Sequence, residues 1–203
     1  ATDINGNSNT CTQDIIVTDD EVPSITCAAD QTQTADAGVC QAAVTVLPPA
    51  TSDNCSVASV TNDFNGTADA SGTYPVGTTT VTWTVLDASG NSATCTQDIT
   101  ITDDEDPIAL CQDITINLDG FGNASIVPAD VDGGSSDNCS LDNPSFTVVP
   151  NAFTSADLGP NNVTFTVYDL AGNYRYFGNN YNVTTMATVD NVAPQIVSIS
   201  PED

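Results

Sequence analysis

The sequence predicts an all-β protein built of tandem immunoglobulin-like β-sandwiches, about seven short antiparallel strands each, in a linear array. Three observations predict it. Thr10-Cys11-Thr12-Gln13-Asp14-Ile15 returns as Thr94-Cys95-Thr96-Gln97-Asp98-Ile99, and Thr18-Asp19-Asp20-Glu21 returns as Thr102-Asp103-Asp104-Glu105, each offset by 84 residues. The same offset relates Cys27 to Cys111, Cys55 to Cys139 and Pro23 to Pro107. Val81-Thr82-Trp83-Thr84-Val85 and Val163-Thr164-Phe165-Thr166-Val167 alternate apolar and polar residues, the period of a half-buried strand. Gly, Pro, Asn and Asp recur between such runs, as turns between short strands require.

Acidic linkers divide the chain. Residues 1–22 read as the last strands of one repeat, 23–106 as a complete repeat, 107–192 as a divergent copy and 193–203 as the first strand of another. Within 23–106, strands are expected near Ser24–Cys27, Gln31–Thr34, Cys40–Leu47, Val57–Asn62, Thr73–Val76, Thr79–Leu86 and Ala93–Thr102. Trp83 shares its face with Val81 and Val85 and is assigned to the core. Ala1 aligns with Val85, inside a strand, and another linker-like stretch, Asp190-Asn191-Val192-Ala193-Pro194, precedes the end, so the sequence reads as a slice of a longer array. If Ala1 is a true end, residues 1–22 could instead complete a neighbouring subunit by strand addition and build a filament.

Composition excludes several functions. The chain of 203 residues has 27 Asp plus Glu, one Arg, no Lys and no His, for a net charge of −26. Phosphate binding needs clustered cations, so nucleic acid is excluded as a partner. Without His, Ser-His-Asp and Cys-His catalysis cannot be assembled, and the commonest transition-metal ligand is missing. Paired carboxylates can hydrolyse glycosides, but short-looped sandwiches leave little room for a sugar cleft; no enzymatic activity is expected. No stretch is long and apolar enough to span a membrane as a helix. Seven cysteines without closely spaced metal-type pairs indicate an oxidising, extracellular compartment.

Pro23-Ser24-Ile25-Thr26-Cys27, Asp53-Asn54-Cys55, Pro75-Val76-Gly77-Thr78-Thr79-Thr80-Val81, Asp87-Ala88-Ser89-Gly90-Asn91 and Cys95 follow one another in an order that resembles the HYR (hyalin repeat) domain. The resemblance covers residues 23–106 fully. Residues 107–192 keep Cys111, Asp137-Asn138-Cys139 and Asp169-Leu170-Ala171-Gly172-Asn173 but lack counterparts of Cys40 and Cys95. It implies an immunoglobulin-like module of extracellular and bacterial surface proteins, associated with adhesion and multidomain arrays.

The divergent copy also suggests a disulfide connectivity. Its two cysteines, Cys111 and Cys139, are 28 residues apart, as are Cys27 and Cys55, so Cys27–Cys55 and Cys111–Cys139 are expected. Cys40 and Cys95 are missing together from the second copy and are expected to pair. Cys11, counterpart of Cys95, would then bond a cysteine in a preceding repeat.

In an immunoglobulin sandwich the entry linker, the loop between the second and third strands and the last hairpin meet at one pole. That convergence gathers Asp19, Asp20, Glu21, Asp53, Asn54, Asp87 and Asn91 in the first repeat. In the second it gathers Asp103, Asp104, Glu105, Asp106, Asp137, Asn138, Asp169 and Asn173. Carboxylates so gathered repel unless a hard cation takes their oxygens, and calcium is the expected cofactor, stiffening the junctions. The bland alternatives are solvated turns, with Asp and Asn bonding the backbone, and acid spread for solubility; Asn91 and Asn173 also read as plain turn residues.

Tyr174, Arg175, Tyr176 and Phe177, with Tyr181 nearby, break the second repeat's likeness to the first. They read either as its last strand or as a contact for glycan or protein. Asn65, Asn123, Asn162 and Asn182, with Asn54 and Asn138, fall in N-glycosylation sequons. The reading is an extracellular or bacterial-surface stalk, adhesin or fibre whose partners are neighbouring repeats or copies of itself, with surface glycans or proteins as further candidates. The alternatives are a binding module using 174–181 and a spacer appended to a secreted enzyme.

Overall fold

The computed structural model describes residues 1, 2, 4–177 and 182–186, with side chains through 175. Tyr181 and the strand expected in 193–203 lie outside the described residues. The fold is all-β: sixteen strands and one four-residue α-helix, Pro128–Val131, among the described residues. The chain divides into two compact units, one of residues 1–33 and 43–100, the other of 34–42 and 101–203.

In the first unit the alternating segments become long neighbouring strands. β7 (Gly77–Asp87) and β8 (Ser92–Thr102) lie at the centre of a sheet ordered β2 (Gln31–Thr34), β8, β7, β5 (Val57–Asn62). β5 runs antiparallel to β7 with Val60 opposite Val85 and Asn62 opposite Trp83, and the register shifts between Val57 and Ser59. Two shorter pairs, β1 (Ser24–Thr26) with β4 (Ala50–Ser52) and β3 (Gln41–Val44) with β6 (Gly72–Pro75), complete the strands. β4 escapes the sequence reading because Pro48-Pro49 mask it as a turn; it is a short strand paired only with β1.

Val81, Trp83 and Val85 of β7 are wholly buried with Val44, Val46, Tyr74 and Ile99, so Trp83 is core as its spacing requires. Tyr74 donates its hydroxyl to the Ala70 carbonyl at 2.7 Å and stacks on Phe64 with ring centroids 4.3 Å apart. Gly72 is needed beneath that stack, because a Cβ there would stand 2.9 Å from the Phe64 ring.

The second unit repeats the plan with shorter strands. β14 (Thr164–Tyr168) is central to a sheet with β11 (Thr147–Val149) and β15 (Tyr174–Phe177). β13 (Gly159–Asn162), β16 (Asn182–Met186) and β9 (Ile114–Asn117) form a second sheet, with β16 parallel to β9. β10 (Asn123–Ser125) pairs with β12 (Ala152–Thr154). Val163, Phe165 and Val167 are buried as Val81, Trp83 and Val85 are, and Phe146 meets Phe165 edge-on at 5.6 Å.

Thr2 and Ser8 are joined by one antiparallel bridge, and residues 10–22 carry no regular strand. Ile15 and Val17 are 81% and 89% exposed, whereas their counterparts Ile99 and Ile101 are 1% exposed. The same apolar row is buried only where a second sheet covers it.

Candidate metal centre

In each unit three chain segments bring acids together in the same way. In the first, carboxylate oxygens of Asp19 from the linker, Asp53 from the Asp53-Asn54-Cys55 loop and Asp87 from the end of β7 lie within 4.8 Å of one another. In the second, Asp103 and Asp137 meet equally closely. Asp169 is near enough for its charge to act on Asp137.

The linker and loop acids are each anchored through one oxygen. Asp53 Oδ2 accepts from the backbone N–H groups of Cys55 and Ser56 at 2.9 and 2.8 Å; Asp137 Oδ2 accepts from those of Cys139 and Ser140 at 2.9 and 3.0 Å. Asp19 Oδ1 accepts from Glu21 N at 3.2 Å, and Asp103 Oδ1 from Glu105 N at 3.3 Å. These are turn bonds of the kind Asp makes readily. The second oxygens of three of these acids, Asp19 Oδ2, Asp53 Oδ1 and Asp137 Oδ1, are buried without a hydrogen-bond partner, as is the amide oxygen of Asn138. Buried orphan oxygens are rare in folded proteins and ask for a partner.

The third acid is held by its own hairpin. Asp87, 2% exposed, accepts at Oδ1 from Ser89 N and Asn91 N and at Oδ2 from Asn91 Nδ2. Asp169, also 2% exposed, accepts from Asn173 N and Asn173 Nδ2, both at 2.8 Å. Asn91 Nδ2 also donates to the Asp19 carbonyl, and Asn173 Nδ2 to the Asp103 carbonyl, both at 3.2 Å. These two asparagines therefore clamp hairpin to linker through their N–H groups.

Burial pushes the Asp87 carboxyl up, but the hydrogen bonds from the Asn91 side chain and from the Asn91, Gly90 and Ser89 backbone outweigh it and hold it below the ordinary range. Asp137 goes the other way. Burial pushes it up, and the charges of Asp103 and Asp169 add to this against the backbone bonds from Cys139 and Ser140, so it sits above the ordinary range.

Oxygen-only donors, a net negative charge and orphaned buried oxygens fit calcium, which takes six to eight oxygens in flexible geometry. Not every acid expected at the pole joins in. Asp20 and Asp104 face solvent, because alternate residues of an extended linker point opposite ways. Glu21 Oε2 accepts from Asn54 Nδ2, Glu105 Oε2 accepts from Gly38 N, and Asp106 pairs with Arg175 at 3.4 Å. Cys139 also lies against Asp103 and Asp137, but its sulfur is in a disulfide and is no thiolate ligand.

The cysteine pairing corrects the expected one. The disulfides are Cys27–Cys95 and Cys40–Cys139, not Cys27–Cys55, Cys40–Cys95 and Cys111–Cys139; Cys11, Cys55 and Cys111 are free. Equal spacing of Cys27–Cys55 and Cys111–Cys139 reflects the repeat, not a bond. The second copy lost partners from two different bonds: Phe177 stands in register where the first has Cys95, and Ala124 where it has Cys40. Burial and the Asp132 charge push the Cys111 thiol up, and Asp19, Asp53 and Asp87 around Cys55 push that thiol up, led by its hydrogen bond to Asp19. Neither is an activated thiolate.

Of the aromatic segment, residues 174–177 form β15, paired with β14 so that Tyr174 stands opposite Tyr168, their rings 5.7 Å apart. Beside it an open groove of about 630 Å³ is lined by Asp106, Gly172, Asn173, Tyr174 and Arg175.

The HYR domain family model matches residues 18–101. A comparison with curated proteins gives no match. Among solved structures, human mucin-like protocadherin EC1-2 is similar at 9% identity and a TM-score of 0.45, over 81% of this chain and 98% of that one. The human desmocollin-1 ectodomain is similar at 16% and 0.35, over 84% and 38%. A Bacteroides ovatus mixed-linkage glucan utilization locus protein, SGBP-B, solved with a mixed-linkage heptasaccharide, is similar at 10% and 0.32, over 82% and 48%.

Proposed function

With an HYR domain at residues 18–101 as the premise, we propose that the chain is part of an extracellular, adhesion-type repeat protein whose acidic poles bind calcium. The observation that carries this is the recurrence of orphaned buried oxygens: Asp19 and Asp53 in one unit, Asp137 and Asn138 in the other. Calcium held by Asp19, Asp53 and Asp87, and again by Asp103, Asp137 and Asp169, would supply charge neutralisation. It would also fix each linker onto the loops of its own unit. A string of repeats so fixed resists bending, which suits a stalk, adhesin or fibre. The role is mechanical and not catalytic, and the partners are neighbouring repeats or further copies.

Titration calorimetry with calcium chloride tests this. Two sites are expected, with dissociation constants of about 0.1 to 1 mM, the range of extracellular modules. Asp53→Asn and Asp137→Asn should each remove one. Absence of binding at 10 mM calcium, about tenfold above that range, would leave the acids as turn residues.

The groove at Tyr174 and Arg175 supports a second reading, a binding module for glycan or protein. Loss of binding to surface glycans on Tyr174→Ala, with calcium stabilisation intact, would favour it.

A further inference from the structure

We infer that Cys55 receives the hairpin thiol of another HYR repeat, closing a disulfide staggered by one repeat; this rests on the reading of the chain as a repeat protein. The two copies within the chain carry the inference. Cys139, the counterpart of Cys55 at the 84-residue offset, is bonded to Cys40. Cys40 sits on the tight turn over residues 34–42, where Asp36 N donates to the Gln41 carbonyl and Gly38 adopts φ +75°. That conformation favours glycine. It presents Gly38 N to Glu105 Oε2 at 2.8 Å, and Asn138 Nδ2 donates to the Val39 carbonyl at 3.4 Å. Three groups thus hold the turn: a linker glutamate, a loop asparagine and the loop cysteine.

All three recur around Cys55. Glu21 is the counterpart of Glu105, Asn54 of Asn138 and Cys55 of Cys139. Asn54 Nδ2 donates to Glu21 Oε2 at 2.9 Å, so the two groups that grip a hairpin in the second copy grip each other in the first. Cys55 is exposed beside them. The occupant that fits is a turn with glycine at the place of Gly38 and cysteine at the place of Cys40. The corresponding turn of the second copy carries Ala124 instead of cysteine, so that copy accepts the bond without offering the next one.

The bond forms by disulfide exchange. The Cys55 and hairpin thiols give up two protons and two electrons to a disulfide oxidant, which leaves as two thiols, and one S–S bond joins the repeats. Cys27–Cys95, by contrast, closes within a repeat.

The test extends the full chain. Residues 23–84 joined ahead of Ala1 restore the 84-residue register, since Ala1 is the counterpart of Val85. Val39→Ile and Ser56→Thr in the added segment mark its peptides, and cleavage before aspartate puts each cysteine on a separate peptide. After oxidative refolding, non-reducing peptide mapping should show added Cys40 bonded to Cys55, at roughly tenfold excess over any other partner. Added Cys27 bonded to Cys11 would show that the added repeat has folded. Added Cys40 bonded to added Cys55, or left free while Cys27–Cys11 forms, would overturn the proposal.

A second arm uses the unextended chain and a synthetic peptide of residues 34–42 activated as a mixed disulfide. Relative to a small neutral mixed disulfide, which corrects for the raised Cys55 thiol, it should favour Cys55 over Cys11 roughly tenfold, and Glu21→Ala should erase that preference. An equal preference for both thiols would overturn the proposal. Calcium titration of the same samples separates this outcome from failure of the calcium reading.

Discussion

A carboxylate whose one oxygen is spent on backbone N–H groups has no freedom to turn the other away, and Asp53 and Asp137 are both held in that way. Asp137 and Asp87 are shifted in opposite directions. Because the Asp137 carboxyl sits above its unfolded value, its ionised form is the costly one, and its contribution to stability falls as pH rises through that raised value. Asp137→Asn should therefore raise the melting temperature in chelator at neutral pH while abolishing the calcium increment of its unit. Asp87 has the opposite shift: its contribution is full above the ordinary carboxylate range and is lost as pH falls through its lowered value. Asp87→Asn should lower the melting temperature by several degrees in chelator. Differential scanning calorimetry from pH 3 to 8, roughly spanning the carboxylate range, checks both; equal effects of the two substitutions would contradict the assignment.

Strands were legible where apolar residues alternate or turn residues bound a run. Val57–Asn62 and the all-polar Gln31–Thr34 keep the bounds expected between turns, and the alternating apolar row of Val81, Trp83 and Val85 becomes the centre of a core. Elements without that signal were not: β4 hides behind two prolines, and β3 stops at Val44 although Val46 is still buried. Disulfide connectivity was illegible because spacing repeats whether or not a bond does. The acidic pole was legible as a meeting of three segments, but which oxygens face inward depends on turn hydrogen bonds that composition does not reveal. At this scale, Trp83→Ala should destabilise the first unit by about 3 to 5 kcal/mol. Gly72→Ala, by driving a Cβ against Phe64, should cost about 1 to 3 kcal/mol. Cys27→Ser should cost about 2 to 5 kcal/mol by releasing Cys95. Urea unfolding of the oxidised chain measures all three, with the Trp83 fluorescence of the two variants that keep it as the probe.

For the whole molecule, a net charge of −26 with one arginine means that self-repulsion opposes compaction throughout. Monovalent salt screens that repulsion evenly, while a cation bound at the poles acts only where the oxygens converge. The two contributions separate in one comparison. The chain, disulfides intact, is melted in chelator with 150 mM sodium chloride, a Debye length of about 8 Å, and again with 10 mM calcium added. With a dissociation constant near 0.1 mM, each site should add about 2.7 kcal/mol. Calcium should raise both transitions by many degrees, a rise that magnesium does not reproduce and that Asp53→Asn and Asp137→Asn remove from one unit each. A melting temperature that calcium raises no more than an equal ionic strength of sodium would contradict the central claim.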